Sequence, residues 1–179
     1  MNELCDANRS TLVVIDLQER LLPKIHDGEN VLDRVELLTD AARLLEIPIV
    51  GTEQNPAGLG PSMLPLGDSF DSLITKTHFD AFAEFSSTAC FEPQRDEVIV
   101  VGCEAHVCVL QSVLGLLRHD YRVHLVADAI GSRKAQDKSA AIERARDAGA
   151  SVVTSEMVMF EWLRHCEHPA FRAVLELLK

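Results

Sequence analysis

The run EVIVVGCEAHVCVLQ, residues 97–111, constrains this chain more than any other stretch. Val98, Ile99, Val100 and Val101 are consecutive, apolar and β-branched, with no polar alternation. Such a run predicts a strand buried on both faces, as in a parallel sheet. Gly102 ends it. From Val107 onward the apolar positions Val109, Leu110, Val113, Leu114, Leu116 and Leu117 recur at three- and four-residue intervals, which is helical spacing. A tight turn therefore joins strand to helix, with Cys108 in the helix's first turn. Unpaired N–H groups and the positive end of the macrodipole gather there and favour a thiolate over a thiol. The carboxyl end of a parallel strand is also where open α/β sheets bind ligands. Cys108 reads either as a small packed core residue or as a nucleophile, and its position alone leaves both readings open.

The rest of the chain repeats the strand-then-helix pattern. Thr11 to Ile15 predicts a first buried strand, ending at Asp16, whose carboxylate either faces the mouth of the sheet or caps the next turn. A helix is expected over Asn30 to Leu45, with Asn30 as N-cap, and a second strand over Ile47 to Gly51. The loop TEQNPAGLGPSMLPLGD follows, and its glycines and prolines argue against regular structure. Gly58 and Gly60 do not make a phosphate-binding fingerprint, since no helical pattern opens behind them and no Lys-Ser/Thr follows. Glu53 and Gln54, at the loop's start, face a pocket or stand as solvated turn residues. Leu73 to Thr75 makes a third strand and delivers Lys76, which taken alone reads as a surface residue. Phe79, Phe82, Phe85 and Phe91 come next; most should be core, with one or two walling an apolar pocket.

Further along, Arg122 to Ala127 predicts a strand ending at Asp128, and Ala135 to Ala148 a helix closed by Gly149. Ser151 to Thr154 is a last strand, with helices over Ser155 to His165 and Pro169 to Leu178. The alternation implies an α/β chain: a three-layer α/β/α, Rossmann-like fold around a mainly parallel six-stranded sheet, in one domain over residues 1–179. A net charge of −11 without a basic run argues against nucleic acid as a partner. No stretch has the length and apolarity of a membrane span or a leader, so no membrane partner is expected. Five cysteines, at 5, 90, 103, 108 and 166, form no CxxC pair, which fits a reduced, cytoplasmic chain.

Asp16, Lys76 and Cys108 each follow a different predicted strand and can converge on one mouth. Around them VVIDLQ, TKTHF and VVGCEAHVCVLQS, followed by YRVHLVADAIGSR, resemble the isochorismatase-like cysteine hydrolases, the superfamily of nicotinamidases and N-carbamoylsarcosine amidase. The TEQNPAGLGP loop is most similar to the branch of isochorismatase domain-containing proteins. The resemblance implies that Asp16 takes the thiol proton, while Lys76 holds the Asp–Cys pair and favours the anion. Cys108 would then attack a carbonyl and form a thioester that water hydrolyses. It further implies an oxyanion hole from the backbone N–H groups of Glu104 and Cys108, a cis peptide at Cys103–Glu104, and homo-oligomers built by packing helices.

Candidate substrate-binding residues are Gln54, Phe79, Glu104 and His106; for His106 the alternative is a helix-start or pocket-wall residue. Cys103 is a packed strand-end thiol or, through its closeness to Cys108, a redox partner. The apolar C-terminal positions Ala170, Phe171, Val174, Leu175, Leu177 and Leu178 form either intramolecular core or an interface. Nicotinamidases of the superfamily bind a metal through an Asp-x-His pair and a further His after the second strand. This chain has GTEQNPAGLG there and no histidine between His26 and His78, so neither metal nor other cofactor is expected. Isochorismatases cleave a vinyl ether without a nucleophilic cysteine, so Cys108 points instead to acyl chemistry. The expected function is that of a cysteine hydrolase cleaving the C–N bond of a small amide or related acyl compound. The alternatives are a catalytically silent small-molecule binder or scaffold of the same fold, and a thiol redox sensor using Cys103 and Cys108.

Overall fold

Apolar runs become strands and the amphipathic segments between them become helices. A computed structural model of the protein describes residues 4–88 and 91–179, so Cys90 lies outside the described residues. The strands are β1 (Ser10–Ile15), β2 (Ile49–Gln54), β3 (Ser72–Lys76), β4 (Glu97–Cys103), β5 (Arg122–Gly131) and β6 (Ser151–Val153). They form one six-stranded sheet in the order β3-β2-β1-β4-β5-β6. Every neighbouring pair is parallel. The central strands β1 and β4 are buried along their whole length, as unbroken apolar runs require.

The helices are α1 (Gly28–Leu44), α2 (Pro56–Leu59), α3 (Phe82–Thr88), α4 (Leu110–Arg118), α5 (Ala135–Asp147), α6 (Ser155–Leu163) and α7 (Phe171–Leu177). They divide between the two faces because strand side chains alternate with period two. Leu12 and Val14 of β1, with Ile99, Val101 and Cys103 of β4, pack under α1, α6 and α7. Val13, Ile15, Val98 and Val100 face the opposite core, with α3, α4 and α5. The C-terminal apolar stripe is largely intramolecular: Val174 is fully buried and Phe171, Leu177 and Leu178 pack on the first core, while Leu175 stays exposed.

Several boundaries differ from the sequence expectation. α1 starts at Gly28, with Asp27 rather than Asn30 as N-cap. Gly28 fits against Leu22, whose carbonyl oxygen would lie 2.7 Å from any added Cβ, so the chain can turn into the helix early. The glycine- and proline-rich loop is not wholly irregular, since Pro56 starts the short α2 at a position suited to proline. β2 runs on to Gln54, which makes Glu53 and Gln54 strand residues paired with Thr75 and Lys76 of β3. β5 continues past Asp128 to Gly131 through a register shift against β4. The Asp128 carboxylate accepts from the Ser155 N–H and hydroxyl at 2.8 and 2.6 Å, which anchors the start of α6. Gly149 closes α5 at φ +110°, as expected. Among the described residues no helix is long and apolar enough to cross a membrane.

Candidate active site

Strand register brings the candidate residues to one end of the sheet. Ile15 pairs with Gly102, and Gln54 with Lys76, so the residues after β1 and β4 and at the ends of β2 and β3 share the carboxyl edge. Gly102 is needed for this approach: at φ +110°, a Cβ there would sit 2.1 Å from the Ile15 carbonyl oxygen. Asp16, immediately after β1, is fully buried with φ 47°, a left-handed conformation that aspartate tolerates better than branched residues. Its Oδ1 accepts from Thr52 Oγ1 at 2.6 Å and its Oδ2 from Lys76 Nζ at 2.6 Å. Lys76 Nζ also donates to Gln54 Oε1 at 2.7 Å and to the His78 carbonyl at 3.3 Å. All three ammonium donors are thereby used. Both side chains of the pair have 0% exposure. Desolvating each ion costs several kcal/mol, so only such complete hydrogen bonding makes the arrangement tenable.

Cys108 sits in a π-helical turn, Ala105–Val109, that leads into α4. Its carbonyl accepts from Ser112 Oγ at 2.7 Å, and Ser112 Oγ in turn accepts from the Ala81 N–H at 2.9 Å. The cysteine's turn is thus tied to the chain entering α3. The buried thiol lies beside Asp16 and Lys76, and the charges of both act on it. Burial above all, then the Asp16 charge, pushes the Cys108 thiol up to about 12, against the lowering effect of Lys76. This corrects the expectation that the helix start favours a thiolate: desolvation and the neighbouring carboxylate outweigh the N-terminal field. The resting group is a thiol beside a carboxylate that can take its proton.

The surrounding residues divide by what they touch. Gln54 spans from Lys76 to the Thr77 carbonyl, to which its Nε2 donates at 2.9 Å, and so holds the lysine. Glu104 follows a cis Cys103–Glu104 peptide, and its Oε2 accepts from Arg133 Nε at 2.8 Å and Arg133 N at 3.2 Å. His106 Nδ1 lies 3.0 Å from Ser132 Oγ. Phe79 is half exposed, whereas Phe82 and Phe91 pack with Tyr121, and Phe85 is core. Glu53 turns to the loop instead of the pocket: its Oε1 accepts from Ser62 N at 2.6 Å and Ser62 Oγ at 2.9 Å. Cys103 and Cys108 occupy different cores on opposite faces of the sheet, which removes the basis for a redox pair.

Sequence reasoning missed Thr52, Gln18, Ser112, Ser132 and Arg133. Gln18 donates to the Gly60 carbonyl at 2.6 Å and accepts from Gln54 N at 2.9 Å, which ties the proline-rich loop to β2. Its place inside VVIDLQ was a signal, as was Ser112's spacing of four residues from Cys108. Thr52, Ser132 and Arg133 meet their partners only through the tertiary fold. For metal ligation, the group of side chains that converges among the described residues is Cys5, Glu97 and His124, at the other end of the strands.

The model of the isochorismatase domain matches residues 10–157. Isochorismatase domain-containing protein 2A of Mus musculus is 34% identical over 170 residues, covering 95% of this chain and 82% of that protein. Isochorismatase domain-containing protein 2 of Danio rerio is 36% identical, covering 94% of this chain and 86% of that protein. Among solved structures, the MAR1 ribonuclease of Caenorhabditis elegans superposes with a TM-score of 0.91 at 34% identity, covering 98% of this chain and 92% of that one. With a domain match over most of its length and relatives this similar along nearly all of it, the chain belongs to the isochorismatase family and carries that family's hydrolase fold.

Proposed function

We propose that the protein is a cysteine hydrolase that cleaves the C–N bond of a small amide or related acyl compound, with Asp16, Lys76 and Cys108 as its catalytic triad. The observation that carries this reading is a thiol in contact with a fully buried, fully hydrogen-bonded Asp16–Lys76 pair. A structural ion pair does not need a thiol beside it, and a packed cysteine does not need two buried charges. Cys108 Sγ attacks the carbonyl carbon as Asp16 takes the thiol proton, which gives a tetrahedral oxyanion. The N–H groups of Glu104 and Cys108 receive that charge, since first-turn N–H groups lack intrahelical acceptors. Asp16 then passes the proton to the departing nitrogen, and the C–N bond breaks to leave a thioester. Water, deprotonated by Asp16, attacks the thioester; the acid leaves and the Cys108 thiol is restored.

Lys76 stabilises the Asp16 carboxylate and lowers the cost of forming sulfur anion. Gln54, Phe79, Glu104 and His106 are the candidate substrate contacts, with Gln54 acting chiefly through Lys76. A single domain over residues 1–179, a cytoplasmic location and homo-oligomerisation are part of the same reading. The C. elegans relative is described as a ribonuclease. A chain of net charge −11 repels a phosphate backbone, which favours a small acyl substrate here.

The test is a panel of amides, thioesters and esters, with RNA alongside, assayed with the parent and with Cys108→Ala. Hydrolysis of an acyl compound with a trapped Cys108 acyl adduct, both lost in the variant, is expected. RNA cleavage that survives Cys108→Ala, or a ligand bound without turnover and indifferent to that substitution, overturns the reading.

A further inference from the structure

A second group of ionisable side chains lies at the amino end of the strands. Cys5 precedes β1, Glu97 opens β4 and His124 lies near the start of β5. All three are buried, at 0%, 0% and 3% exposure, and their ligand atoms lie within 4.8 Å of one another. One oxygen of Glu97 is firmly held: Oε1 accepts from Asp6 N at 2.6 Å and from Ser10 Oγ at 2.8 Å. That grip aims the other oxygen inward. Among the described residues, Glu97 Oε2 and His124 Nδ1 have no hydrogen-bond partner. The Arg122 guanidinium and His124 Nε2 stand 3.5 Å from Oε2, close enough for charge but too far for a good bond. Buried polar atoms are almost always partnered, so two orphans in one cluster call for a missing group.

We infer that Cys5, Glu97 and His124 form a buried binding site for a zinc-class divalent metal ion, with Sγ, a carboxylate oxygen and an imidazole nitrogen as ligands. One sulfur, one nitrogen and one hard oxygen suit zinc and its tetrahedral habit and do not suit calcium or magnesium. The Glu161 carboxylate accepts from Cys5 N at 2.8 Å and stays outside the set of three converging ligands. Charge balances: a dication meets one thiolate and the Glu97 carboxylate, and the displaced thiol proton leaves to solvent. β4 spans seven residues from Glu97 to Cys103. At ~3.3 Å per residue the site is thus on the order of 20 Å from the triad, too far to touch substrate. Its role is structural, pinning the segment before β1 to the amino edge of the sheet.

The experiment strips the full chain with a chelator and titrates it with cobalt(II), then zinc. Expected are a thiolate-to-cobalt charge-transfer band in the near ultraviolet that saturates at one equivalent, its loss on adding zinc, and a higher Tm with metal. Cys5→Ser removes the band, while Cys166→Ser, at an exposed thiol, keeps it. Glu97→Gln retains the Oε1 bonds and weakens the titration, so the site remains testable even if Cys5→Ser does not fold. No band in the parent protein, a band unchanged in Cys5→Ser, or a titration indifferent to Glu97→Gln overturns the proposal.

Discussion

The two ends of the sheet bury similar numbers of ionisable groups and treat them in opposite ways. At the carboxyl end, both oxygens of Asp16 and all three donors of Lys76 have partners, and the thiol of Cys108 lies against the pair. At the amino end, Glu97 Oε2 and His124 Nδ1 are left without hydrogen bonds among the described residues. Low surrounding dielectric sharpens both cases. A complete network holds charges ready in a fixed geometry, whereas an incomplete one marks a place where something else belongs. The first suits chemistry, the second suits a bound ion.

Substitutions can break or sharpen that contrast. The largest effect belongs to Cys108→Ala, which should abolish acyl turnover in initial-rate assays while the chain remains folded. Asp16→Asn should lower turnover by about 10²–10⁴-fold, the usual contribution of a general base. The same variant should alkylate faster at Cys108 near neutral pH, because burial still raises the thiol but the added push of the Asp16 charge is gone. Peptide mass spectrometry against pH reads this directly. In the parent, the alkylation rate should go on climbing past the ordinary thiol value of 9.0 toward about 12. A plateau at or below 9.0 would mean that burial and Asp16 do not dominate the thiol.

Lys76→Met leaves the Asp16 charge buried without its cation and should cost about 3–5 kcal/mol in urea unfolding. At the other end Glu97→Gln keeps the two bonds to Oε1 and should cost only about 1 kcal/mol in metal-free protein. Equal losses at the two ends would erase the distinction between them. The smallest effect is expected from Cys103→Ala: about 1 kcal/mol for the lost buried group, with the alkylation profile of Cys108 unchanged. A shifted profile would restore a link between thiols that the two faces of the sheet keep apart.

The architecture was legible because buried parallel strands leave an unmistakable local trace. VIVV in β4 and LVVI in β1 are apolar without alternation, and the helices between them carry their own period. Asp16, Lys76 and Cys108 could be picked out because each directly follows such a run or the turn after it. Glu53 and Gln54 show where local reading stops. Their loop-like neighbours hid the end of β2, and nothing nearby told that Glu53 turns to Ser62 while Gln54 holds Lys76. Asn30 satisfied every local rule for an N-cap, yet packing of Gly28 against Leu22 moved the helix start.

Sequence by itself determined the strand–helix order, the burial of the central strands and the identity of the three groups at the strand ends, since these follow from hydrophobic periodicity and chain order. Only the tertiary structure decided how those groups are partnered and that the Cys108 thiol is pushed up. A macrodipole argument for a Cys108 thiolate is local, whereas desolvation and the Asp16 carboxylate come from another strand and prevail. Thr52 on Asp16, Arg133 on Glu104, and the meeting of Cys5, Glu97 and His124 likewise join residues 27 or more positions apart. Electrostatic energy depends on distance and solvent exclusion in space, and neither quantity is written in the spacing along a chain.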